Sequence, residues 1–184
     1  PSYLNDLHAS LENSAAQSKK AEQKAFELAA PHKRRHDKLT AIRDFVATAI
    51  REAGPALSEM PKSAISSADI TLRDGYGNTT DRAVLLYAML KAIGEKPRFL
   101  LLSTDTRIPK LYRSYGAAIP DDAFTQVLVL VKDDDGAPLY LNDMTQYAKL
   151  GSSDYEYFFA LELPSGKTHR VLPQKTLRNA IESR

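Results

Sequence analysis

The chain has 184 residues, enough for one domain with a sizeable core, and its 43% hydrophobic and 26% charged content is ordinary for a soluble globular protein. A net charge of +2 with no aromatic ladder beside its one dense basic run, His32-Lys33-Arg34-Arg35-His36, argues against nucleic-acid binding. The absence of cysteine excludes disulfides, thiolate metal sites and thiol catalysis by this chain, and no apolar run is long enough to insert across a bilayer.

Residues 3–29 read as one long helix. Leu4, Leu7 and Leu11 share a face, Ala25, Phe26, Leu28 and Ala29 form a second apolar cluster, and the middle has little apolar surface. The division expected is a helical arm or linker over 1–35 and a domain over 36–184. The basic run between them reads as a solvated linker. The chain starts at Pro1 with no initiator Met, which reads as a processed protein or a fragment of a longer one.

Asp37 suits the N-cap of the next helix, where Leu39, Ile42, Phe45, Val46, Ala49 and Ile50 follow helical spacing up to Gly54-Pro55. Residues 55–78 carry Pro, Ser and Gly without a period and read as an irregular connection. From about Asp81 to Ile93 the apolar residues cover nearly the whole helical circumference, which predicts a buried helix ending at Gly94. Phe99 to Leu102 reads as a buried strand and 105–123 as a long loop. Phe124 to Lys132 is a strand with Val127, Val129 and Val131 on one face. It turns at Asp133-Asp134-Asp135-Gly136 into Leu139 to Leu141. Tyr155 to Leu163 and Lys167 to Leu172 form another hairpin, and 174–184 a short tail helix. Helices first and antiparallel strands afterwards give an α+β fold.

The stretch Gly75-Tyr-Gly-Asn-Thr-Thr-Asp-Arg-Ala-Val-Leu-Leu, a glycine-rich turn running into that helix, carries the most specific signal. It resembles the active-site segment of the transglutaminase-like superfamily, whose papain-type motif reads roughly Gly-Asp-Cys-Lys-Asp-Lys-Ala. The match here is Gly77, Asn78, Thr79, Thr80, Asp81, Arg82 and Ala83, with Leu85 and Leu86 after it. The resemblance extends, by order and spacing, over roughly 37–151, and implies that the buried helix packs on a small antiparallel sheet or barrel.

In that family a cysteine at a helix N-terminus is activated by a histidine on a following strand, and an aspartate on the next strand orients the histidine. The resemblance places Thr79 at the nucleophile position and Gln126, in Phe124-Thr125-Gln126-Val127, at the histidine position. The acid falls on Asn142 or Asp143. Such a set cannot run the reaction: an internal threonine needs a base, and a glutamine has no titratable nitrogen. The resemblance therefore implies the scaffold without its catalysis. Its old groove would be a docking cleft for a peptide or protein, with Tyr76, Asn78, Tyr112, Tyr115 and Tyr147 as candidate binding residues.

Each residue also has a plainer reading. Thr79 or Thr80 suits an N-cap, Asn78 a turn, Asp81 the positive end of the helix dipole, and the tyrosines half-buried structural positions. His8, His32 and His36 fall in the arm or its linker, and His169 on an exposed strand position; no spacing points to a metal or other cofactor. Three functions stay open: a binding or scaffolding module without catalysis inside a larger, bacterial protein; a cysteine-independent hydrolase or transferase centred on Asp81 or Asp143; and a structural spacer. The family context would place the protein in the periplasm or cell envelope.

Overall fold

The structure is a computed structural model and describes residues 2–103, 124–141 and 146–172. The expected loop over 105–123 and tail helix over 174–184 lie outside the described residues.

The first helical segment is two helices, α1 (Ser2–Ala16) and α2 (Lys19–Ala29). The break has a tertiary cause. Asp69, far along the chain, accepts the amides of Lys20 and Ala21, each at 2.9 Å, and so satisfies two donors at the start of α2. The middle of the segment does pack, through small residues: Ala15, Ala21 and Ala25 join Leu7 and Leu11 in the main core. Phe26 departs from the expected cluster and is 57% exposed.

Helix α3 (Arg35–Ala49) buries Leu39, Ile42 and Val46. Its N-cap is Arg34, not Asp37; Asp37 lies inside the first turn and receives both Nε and an Nη of Arg34, at 2.8 and 3.0 Å. The basic run is also no free linker. Arg35 ties the start of α3 to the sheet, donating to both oxygens of Glu95 (2.8 and 2.7 Å), to Asp134 (2.9 Å) and to the carbonyl of Lys132 (2.5 Å).

Residues 55–78 are more ordered than their composition suggests. They hold two short 3-10 turns and a helix, α4 (Ala68–Asp74), between the N-cap Ser67 and Gly75, whose φ of +69° is a conformation that glycine adopts without a Cβ penalty. Two short parallel strands, β1 (Arg51–Glu52) and β2 (Tyr76–Gly77), bring the chain back to α3 before helix α5 (Thr79–Ala92) begins.

Five strands follow: β3 (Arg98–Leu102), β4 (Gln126–Lys132), β5 (Pro138–Leu141), β6 (Phe159–Glu162) and β7 (Lys167–Arg170). They form an antiparallel sheet in the order β5-β4-β3-β6-β7. The architecture is thus α+β, with α5 in the centre, packed on β4 and touched by the other four helices. Phe99, Leu101, Val127, Val129 and Val131 face the helices. The opposite face is also apolar at its middle, where Leu100, Leu102, Leu128, Leu130 and Tyr140 meet Phe158 and Val171. His169 is not on an exposed position: its Nε2 lies 2.7 Å from a carboxylate oxygen of Glu162, and its side chain is largely covered.

Candidate functional site

The start of α5 is built by its own sequence. Asn78 is the N-cap, and its side-chain oxygen accepts the amide of Asp81 at 2.8 Å. Asp81 returns the contact by accepting the Asn78 amide at 3.3 Å, so each residue satisfies a donor of the other in a capping box. The second Asp81 oxygen accepts the amide of Ser66 at 2.8 Å, which ties the preceding connection down. The amide nitrogen of Asn78 points to the sulfur of Met60 at 3.1 Å. Gly77 is required by space: a Cβ there would stand 2.8 Å from the Cβ of Asp81 and 3.2 Å from a methyl of Thr71.

Thr79 is the first residue of α5, and Thr80 follows it fully buried. From Thr79 to Leu90 every residue of the helix is buried. Two ionised groups are therefore taken out of water in its first turns. Burial pushes the Asp81 carboxyl above its ordinary range, against the hydrogen bonds from Ser66 and Asn78, which pull it down. Burial pushes the Arg82 guanidinium down, opposed by its contact with Glu52 at 3.3 Å. Arg82 also donates to the carbonyl of Val46 at 3.4 Å.

Gln126 is the first residue of β4, opposite Leu102 of β3, and is half-buried. Gly94, just past the end of α5, lines the same cavity as Leu130 and Val131 near the end of β4. With the helix and the strand both roughly 20 Å long, Thr79 and Gln126 lie toward the same end of the domain. The pleat assigns Gln126 to the face of Leu128 and Leu130, the side away from α5. Asn142 and Asp143 lie outside the described residues, as do Tyr112 and Tyr115. The description resumes at Gln146, and Tyr147 after it is 87% exposed. Next to it Arg43 of α3, itself buried, donates to the carbonyl of Ala148 at 2.7 Å and pairs with Asp44 at 2.6 Å. Tyr76, just before the capped turn, is 51% exposed.

Chemically, this end offers a hydroxyl at the first position of a helix. Both oxygens of Asp81 are engaged by backbone amides, so its use as a general base would break the cap that positions the helix. No group of His, Asp and Glu suited to a metal ion occurs among the described residues. The buried arginines Arg43 and Arg82 were not singled out in the sequence. Arg82 lies within the matched motif, but nothing in its local pattern distinguishes a buried arginine from a solvated one.

No family model matches the chain, and no curated protein matches it. Among solved structures, a crystal structure from Parabacteroides distasonis described as a "putative protease" is similar, with a TM-score of 0.65 at 19% identity, over 93% of this chain. The chain spans 31% of that protein's length. A "putative cysteine protease" from Cytophaga hutchinsonii matches 72% of this chain and 38% of its own, at 16% identity and a TM-score of 0.46. At such identities the likeness is one of fold: the chain shares its α+β architecture with a segment of a larger protein described as a putative protease.

Proposed function

We propose that this is a transglutaminase-like domain that has lost catalysis and serves as a binding or scaffolding module of a larger protein. The observation that carries the reading is Thr79 at the first position of a buried, reciprocally capped helix, in a chain without cysteine. A helix N-terminus contributes about 1 kcal/mol toward an anion, far too little to ionise a threonine hydroxyl at neutral pH. Two of the tyrosines that flank the expected groove, Tyr76 and Tyr147, expose large aromatic surface, which supports a docking role over a filled groove.

Two measurements test the reading. The purified domain should give no peptidase, amidase or transglutaminase turnover; turnover abolished by Thr79→Ala would overturn the loss of catalysis. The mapping is tested by Thr79→Cys combined with Gln126→His and Asn142→Asp. If these positions meet, the helix end and the new imidazole pull the thiol pKa below its reference of about 8.5. The alkylation rate against pH reads that pKa directly, and an ordinary value in the folded variant would refute the mapping.

A further inference from the structure

A cavity of about 700 Å³ opens at the end of the sheet that adjoins the C-terminus of α5, away from Thr79. Its floor is the face of the sheet opposite the helices. Leu130 and Pro138 give it an apolar part, and Arg98, Glu162 and His169 a fixed polar part. Glu162 is 6% exposed and takes Arg98 on one oxygen and His169 on the other. Gly94 and Gly136 stand at the rim, where a side chain would meet nothing within 4 Å, so the mouth stays open.

The charges around this cavity do not balance. Its lining holds five cations and two carboxylates: Glu162 pairs with Arg98 and Glu95 with Arg35, while Asp133 and Asp134, outside the lining, also pair with Arg35 and offset part of the excess. Lys96, Lys132 and Lys167 also line it, and among the described residues none of them has an ion pair. Lys132 on β4 and Lys167 on β7 stand on the same face, three strand spacings apart across the sheet and four residues apart along it, or about 20 Å between backbones. The remaining excess of cations around a concave, partly apolar floor favours a positive potential in it. The volume lies within the range of sites for metabolite-sized ligands. Ammonium groups act as compact point charges, which suits phosphate oxygens without the planar fork geometry a lone carboxylate would favour.

We propose that this cavity binds a small polyanion of the phosphate class, held between Lys96 and Lys132 on one side and Lys167 on the other, over the Arg98–Glu162–His169 floor. The proposal does not depend on the reading of the triad-equivalent positions.

Titration calorimetry of the whole chain with sodium tripolyphosphate is the test. One-to-one binding is expected, weakened about tenfold or more by Lys132→Ala with Lys167→Ala. Removing the same charge outside the cavity, with Lys19→Ala and Lys20→Ala, should change it less than about twofold at 0.1 M salt. Equal weakening by the two pairs, or no heat at millimolar probe, would overturn the proposal. So would tighter binding of a polyglutamate peptide with the same lysine dependence, which would make the site an acidic-protein surface. Amide shifts of the unsubstituted chain provide an independent reading: changes centred on Gly94, Gly136 and Lys167 are expected, and changes centred elsewhere contradict it.

Discussion

At the N-terminal end of α5, Asp81 and Arg82 are buried, and their contacts lead inward: Asp81 to the amides of Ser66 and Asn78, Arg82 to Glu52 and the carbonyl of Val46. At the C-terminal end, the surrounding sheet and turn carry Lys96, Lys132 and Lys167 at the surface, without ion pairs among the described residues. The end that resembles a catalytic site is therefore committed to holding the helix in place. The end with no such resemblance keeps its charge available. Gly77, Asn78 and Asp81 each have a structural task independent of chemistry, so this turn and cap build the fold whatever they resemble.

The difference should appear first in stability. Leu90, fully buried on α5, should cost about 2–5 kcal/mol when cut to alanine. A urea midpoint shift worth less than about 1 kcal/mol would mean that α5 is not central to the fold. Gly77→Ala should come next, at about 1–3 kcal/mol, because the new methyl overlaps the Asp81 side chain and Thr71. Lys132→Ala, at the other end of the helix, should stay within about 0.5 kcal/mol. A comparable loss at Lys132 would erase the contrast between the two ends.

Much of this arrangement was legible in the sequence because it is periodic. The all-round apolar pattern of α5 and the alternation along β4 predict a buried helix on a sheet, and the turn at Asp133 to Gly136 predicts the β4–β5 hairpin. The break between α1 and α2 was not legible, because the residue that caps α2 is Asp69, about fifty positions away. Helix α4 is only seven residues long, too short for a period, though Ser67 and Gly75 were its start and stop signals. His169 and Arg35 looked like solvated side chains because their partners, Glu162 and Glu95, become neighbours only when the sheet forms. At the candidate site, the capped turn was readable from Gly77 to Asp81, but Asn78 rather than a threonine is the cap.

Asp81→Asn sharpens the comparison from within the cap. The amide keeps one acceptor but sets an N–H₂ against a backbone donor, so a loss of about 1–2 kcal/mol is expected near neutral pH. Burial raises the Asp81 pKa in the folded state above its ordinary 3.8. The folded protein thus holds this proton more tightly than the unfolded chain does. The group's contribution is greatest below pH 3.8 and declines as pH rises through the folded-state value. Urea titrations of wild type and variant at several pH values should show the advantage of wild type shrinking as pH rises from 3.8. An advantage that grows over that interval would show that the cap hydrogen bonds outweigh burial.

Glu162→Gln should give a smaller effect than Asp81→Asn and the opposite slope. Burial raises the pKa of this carboxyl, but the hydrogen bonds from His169 and Arg98 outweigh it and hold the group below its ordinary 4.5. The unfolded chain then binds the proton more tightly, so the stabilisation is complete above pH 4.5 and is lost as pH falls through the lower folded-state value. Glutamine removes the charge and keeps the shape, so it should cost about 1 kcal/mol near neutrality, because Arg98 is more than half exposed and water screens much of its attraction. The gap between wild type and variant should close below pH 4.5, where Asp81→Asn should show its widest gap. The variant also tests the cavity. Glu162 is the carboxylate that offsets Arg98, so its removal leaves a fourth uncompensated cation on the floor, and tripolyphosphate should bind more tightly to Glu162→Gln than to wild type. Weaker binding in a variant that retains its fold would mean that Glu162 acts by positioning Arg98 and His169, and that the floor contributes geometry to the site as well as charge.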